Sequence, residues 1–144
     1  MAIAMPYAMR SNPTTQINIS QKYNNMIIDF SNIQPTIIDR FKGGEKHFEA
    51  RMHCDDSARI MQARLVPGAS IGLHTHEGNC EIIFITKGQG TLIDDGQTMP
   101  IAAGQCAYCP EGHSHSLINS SNEPLEFYAA VPAVVCASKC EKEN

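Results

Sequence analysis

Residues Gly68 to Gly88 read GASIGLHTHEGNCEIIFITKG, and residues Gly104 to Asn119 read GQCAYCPEGHSHSLIN. The run CEIIFIT is rich in β-branched and aromatic residues, so it reads as a strand. Alternate residues of a strand share a face, which sets Glu81, Ile83 and Ile85 on one side and Cys80, Ile82 and Phe84 on the other. His74 and His76 share a face by the same rule if their segment is extended. Gly78-Asn79 is a turn signal, so His76 and Glu81 can meet across a short loop. His115 follows the turn Pro110-Glu111-Gly112. Three imidazoles and one carboxylate suit a divalent transition metal with positions left open. His74, His76, Glu81 and His115 are therefore the candidate metal ligands. Drawing them from two separate segments requires a rolled-up β structure. The plainer alternative, histidines scattered on strand surfaces, does not explain why these residues cluster in a chain with six His.

Outward from these stretches the chain is punctuated as an all-β protein. Strands are expected over Thr36–Arg40, His47–His53, Ala58–Val66, Gly90–Asp94, Gln97–Ile101, Gln105–Cys109, Ser114–Ser120 and Leu125–Val131. Gly43-Gly44 and Asp95-Gly96 supply turns, the latter a hairpin signal. Short strands at regular spacing predict a sandwich or barrel. No amphipathic helix and no internal repeat is evident.

The two stretches resemble the paired signature motifs of the cupin superfamily. Gly68, His74, His76, Glu81 and Gly88 fit the first motif, and Gly104, Pro110, Gly112, His115 and Asn119 fit the second. The resemblance covers roughly residues 57–131. It implies a double-stranded β-helix, or jelly-roll, barrel with a divalent metal on those four ligands; Fe, Mn, Ni, Zn and Cu all remain open. The superfamily includes dioxygenases, isomerases, epimerases, decarboxylases, sugar-binding sensors and storage proteins, so the resemblance does not fix a reaction. Small cupins cover their exposed sheet edges by pairing, which implies a homodimer.

One domain is expected for 144 residues, with 42% hydrophobic and 18% charged residues marking a globular chain. The net charge of −4 and the lack of a Lys/Arg cluster disfavour nucleic acid and anionic membranes as partners. No apolar run approaches the roughly 20 residues of a spanning helix. Residues 1–25, polar and lacking an apolar period, read as a flexible extension. Residues 26–135 read as the barrel, and residues 136–144 as a charged tail. The start lacks the basic and apolar regions of a secretory signal, which points to the cytoplasm.

Six cysteines, Cys54, Cys80, Cys106, Cys109, Cys136 and Cys140, permit a disulfide framework, but a reducing compartment argues against one. Cys106 and Cys109 with Cys136 and Cys140 also have half-site spacing for zinc. Residues three apart on a strand face opposite ways, so packing is the preferred role. His113 is either a pocket wall or base beside His115, or a turn residue. Tyr108 and Phe127 are candidate pocket aromatics, with core packing preferred. Arg51 or Arg64, if inward, would suit a carboxylate or phosphate substrate. Two functions survive: a metal-dependent enzyme acting on a small polar metabolite, as a dioxygenase or isomerase, and a metal-loaded module that binds or senses a small ligand. The full ligand set and the absence of any fused regulatory segment favour the enzyme.

Overall fold

The computed structural model describes residues 27–134. Among the described residues there are ten strands: β1 Thr36–Asp39, β2 His47–Cys54, β3 Ala58–Leu65, β4 Ser70–Thr75, β5 Glu81–Lys87, β6 Gln89–Asp94, β7 Gln97–Ala102, β8 Cys106–Cys109, β9 Ser114–Ile118 and β10 Leu125–Pro132. Apart from β4, for which the sequence offers only an extended segment through His74, each lies within two residues of its expectation at either end. Two short 3-10 turns, Phe30–Asn32 and Phe41–Gly43, complete the described elements.

The strands form two antiparallel sheets, ordered β1-β2-β3-β10-β5-β8 and β4-β9-β6-β7. Neighbours such as β3 and β10, or β4 and β9, are distant in sequence. That long-range pairing winds the chain into a double-stranded β-helix. The alternation of each strand places its apolar set inside: Phe48 and Ala50 from β2, Met61, Ala63 and Leu65 from β3, Phe127 and Ala129 from β10. Facing them from the smaller sheet are Ile71, Leu92 and Leu117. Phe41 stacks on Phe48 at 5.0 Å and Phe48 on Phe127 at 6.3 Å, forming an aromatic run along the larger sheet's inner face.

Two motif residues serve the fold. Gly88 has φ +85, and a Cβ there would lie 2.5 Å from the Pro124 oxygen, so only glycine fits the crossing. Asn119, wholly buried, donates through Nδ2 to the carbonyls of Leu65 and Glu123, each at 2.8 Å. Its Oδ1 accepts from the Ser121 amide and hydroxyl, which closes the loop before β10.

Candidate metal centre

β4 carries an irregularity that simple alternation does not foresee. Ile71 pairs with Leu117 and His74 with His115, so Gly72 and Leu73 stand opposite Ser116 alone. This is a β-bulge, and it brings both Ile71 and His74 to the inner face although they are three residues apart. Its carbonyls are held by side chains. Ser116 Oγ donates to the Ile71 oxygen at 2.6 Å, and His74 Nδ1 donates to the Gly72 oxygen at 2.8 Å. Gly72 must be glycine for a steric reason, because a Cβ would lie 2.0 Å from the Lys42 carbonyl oxygen.

His76 sits just past the end of β4 and is fixed by the facing turn. Its amide donates to the His113 carbonyl at 3.0 Å, and its carbonyl accepts from the Gly112 amide at 2.7 Å. Its ring donates through Nδ1 to Asn79 Oδ1 at 2.6 Å. Glu81 opens β5, and His115 lies in β9; both are buried.

The four side chains converge. Glu81 Oε2 lies 2.8 Å from His115 Nε2, 3.1 Å from His76 Nε2 and 3.8 Å from His74 Nε2. The Nε2 atoms of His76 and His115 are 3.0 Å apart. The structure therefore brings together all four residues singled out from the sequence, with donor atoms within 4.8 Å of one another.

The donor chemistry fits a metal ion. With Nδ1 of His74 and His76 committed as donors, their neutral rings turn Nε2 lone pairs toward an anionic oxygen. Such acceptors repel one another unless a cation or protons lie between them. Burial alone would raise the Glu81 pKa, but hydrogen bonds from His115, His74 and His76 outweigh it and hold the carboxyl far below the usual range. The hydrogen bond to Glu81 in turn raises the pKa of His76, against the effect of burial. In each outer partner, Gly72 and Asn79, the ring finds the acceptor that orients metal-binding histidines generally. The sequence marks Gly78-Asn79 only as a turn and gives no sign of either partner.

The other sequence candidates separate from this centre. His113 is a turn residue whose half-exposed ring pairs with Asp95, Nδ1 to Oδ2 at 2.5 Å; it contributes its backbone to His76 but no pocket wall. Tyr108 is 59% exposed on the outer face of β8, so it belongs neither to the pocket nor to the core. Phe127 is core, as preferred. Arg51 and Arg64 alternate outward. Arg51 donates to the Ile33 carbonyl at 2.6 Å and the Phe30 carbonyl at 3.2 Å, and Arg64 pairs with Glu49 at 3.0 Å. Neither can meet a substrate at His74 or Glu81.

Cys54, Cys80, Cys106 and Cys109 are all free thiols. Cys106 is exposed and Cys109 buried, as opposite strand faces require. Burial first, then the charge of Asp94, pushes the Cys109 thiol up to about 11, so it stays protonated near neutral pH. Cys136 and Cys140 lie outside the described residues, as do the proposed terminal segments 1–25 and 136–144. Among the described residues no helix is long and apolar enough to cross a membrane.

A cavity of about 390 Å³ opens onto the cluster, with His74, His76 and Glu81 in its wall beside Phe41, Lys42, Arg59 and Val131. A β-helical barrel with three histidines and one glutamate gathered beside an open cavity defines a class of proteins with a candidate metal pocket. Residues 61–131 match the cupin domain family. The chain belongs to the cupin superfamily. Over 112 residues it is 37% identical to the oxalate-binding protein of Thermotoga maritima, covering 74% of this chain and 93% of that one. A crystal structure from Thermotoga maritima, described as a predicted oxalate decarboxylase, is 36% identical with a TM-score of 0.71, covering 76% of this chain and all of the other. A sugar phosphate isomerase from Silicibacter pomeroyi is similar at 22% identity and TM-score 0.61, covering 75% and 76% of the two chains; it speaks for the fold alone.

Proposed function

We propose that the protein holds one divalent transition metal ion on His74, His76, Glu81 and His115 and binds a small carboxylate anion there, with oxalate the first candidate. The observation that carries this reading is the convergence of four donor atoms within 4.8 Å, with the rings of His74 and His76 tied back through Nδ1. The relative described as oxalate-binding supports the choice of anion. The ion supplies a Lewis acid for anionic oxygen atoms. The donor set suits Fe, Mn, Ni, Zn or Cu.

Binding is preferred to carboxylate-assisted turnover on one observation. General acid–base catalysis needs a titratable group tuned by burial or neighbours. Apart from the candidate ligands, the carboxylates around the cavity are Asp55, Asp56 and Glu77, and all three are exposed. Asp55 is also engaged by the Ser57 and Ala58 amides. An enzyme reading, as dioxygenase, isomerase or decarboxylase, is the alternative. Calorimetry of oxalate with the metal-loaded protein, followed by assay for carbon dioxide, formate and oxygen uptake, separates the two. Saturable binding without product supports the binding module. Product supports the enzyme, and absence of binding in loaded protein refutes the choice of oxalate.

A homodimer in the cytoplasm completes the proposal. The dimer is supported by Phe84, Tyr108 and Tyr128, exposed by 53%, 59% and 39% on the outer face of the larger sheet, where Tyr128 pairs with Phe84. Light scattering that reports a monomer at micromolar concentration refutes it.

A further inference from the structure

The cavity has two cations at its mouth that no sequence motif marks. Arg59 opens the inner-facing set of β3, in step with Met61, Ala63 and Leu65, and its strand partners Cys54 and Val131 also line the cavity. Lys42 reaches the same cavity from the turn between β1 and β2. Neither forms an ion pair with another described residue. Lys42 Nζ lies 5.7 Å from the centroid of the Phe41 ring, and Asp55, Asp56 and Glu77 line the same cavity, but none of these carboxylates is within ion-pair distance of either cation, so both charges are available to a ligand.

The turn that presents Lys42 is built at a cost. Arg40, Lys42 and Lys46 have φ of 49, 57 and 54, non-glycine residues in the left-handed region within one short connection. Backbone in that region persists only where its surroundings enforce it, and such strain gathers at ligand clamps. Here the enforcement is visible. The Ser70 amide donates to the Glu45 carbonyl at 3.0 Å, and the Glu45 amide donates to Ser70 Oγ at 2.8 Å. A Cβ on Gly44 would lie 2.1 Å from the Ser70 oxygen, so the turn is pressed against β4 next to the bulge that carries His74. Phe41, stacked on Phe48, anchors its leading end.

We propose that Lys42 and Arg59 are the specificity-determining residues of this pocket, binding the oxygen atoms of a small dicarboxylate that the metal ion leaves free. This rests on the metal-dependent anion binding proposed above and adds to it the residues that select the anion. Arg59 offers a planar, bidentate donor fork and Lys42 a point charge. Together they favour a doubly charged anion over a neutral or singly charged ligand of the same size. Arg51 and Arg64, the arginines that the sequence suggests for this task, lie on the outer face of β2 and β3, opposite the face that carries Arg59.

The test is calorimetric titration of manganese-loaded wild-type, Lys42→Met and Arg59→Met proteins with oxalate and with acetate, with metal content measured on each sample. The expected result is unchanged metal content in both variants, a Kd for oxalate raised about tenfold or more in each, and little change for acetate. Oxalate affinity in the wild type should also fall with added salt. Variants that keep their metal and bind oxalate within about threefold of wild type overturn the roles of Lys42 and Arg59 while leaving anion binding intact. Variants that lose the metal overturn them as well, because the cations would then be supporting the site. Loaded wild-type protein that binds no oxalate overturns both this inference and the anion-binding reading beneath it.

Discussion

The ring of His74 donates through Nδ1 to the carbonyl oxygen of Gly72, 2.8 Å away, inside the β-bulge that turns His74 inward. The bulge thus both places the proposed ligand and selects its tautomer. A Cβ at Gly72 would drive into the Lys42 carbonyl, so Gly72→Ala must displace the β1–β2 turn or flatten the bulge. Overpacking of this kind costs about 1–3 kcal/mol. Thermal unfolding should show that loss, together with weaker metal binding by competition with a chelator. Wild-type stability and affinity in the variant would contradict the role given to the bulge.

Asn79 performs the same service for His76 from outside the centre. Loss of such an outer partner lowers metal affinity about 10–100-fold. Asn79→Ala should do so while leaving the circular dichroism spectrum unchanged. Unaltered affinity would mean that the backbone bonds from Gly112 and His113 alone hold the ring.

The raised His76 pKa sets opposite pH dependences for the metal-free and metal-loaded protein. In the metal-free protein its contribution to stability is complete below the ordinary imidazole value of 6.5 and is lost as pH rises through the higher folded value. Glu81 contributes above its ordinary 4.5 and loses that only as pH falls toward its much lower folded value. Metal binding requires a deprotonated imidazole, so it strengthens over the range in which the metal-free protein loses His76's contribution. The increase in Tm on adding metal should therefore grow as pH rises from the ordinary imidazole value of 6.5 through the higher folded value of His76. A constant increment would contradict the assignment of His76.

Asn119 tests the division of labour within the second motif. It matches the family pattern yet bonds to Leu65, Ser121 and Glu123, away from the His–Glu cluster. Asn119→Ala strands buried carbonyls at about 1–3 kcal/mol for each unsatisfied group. The variant should unfold at lower denaturant while the folded fraction binds metal normally. Loss of metal from a fully folded variant would contradict this.

Arg64→Ala should leave anion affinity unchanged, because Arg64 faces outward and is paired with Glu49. A weakened complex would show that the outer face communicates with the pocket.

Much of this architecture was legible in the chain. Alternation and turn residues located the strands, and the spacing of His74, His76, Glu81 and His115 placed those four residues at one centre. What escaped reading lay in strand parity and in bulges. Without a fixed register Arg51 and Arg64 could be imagined inside, whereas the alternation of Met61, Ala63 and Leu65 points instead to Arg59. Tyr108 looked like core because it is aromatic, but it alternates with buried Ala107 and Cys109 and therefore faces out. Lys42 was invisible, since its position depends on a left-handed turn pressed against β4, far along the chain.

The central claim is that His74, His76, Glu81 and His115 hold a metal ion. It is tested most directly by elemental mass spectrometry of protein purified without chelator, beside a His115→Ala variant whose fold is checked by circular dichroism. The account predicts one transition metal ion per chain in the wild type and its loss from the folded variant. Protein that carries no metal and takes up none on reconstitution, or a variant that keeps the full complement, would contradict it.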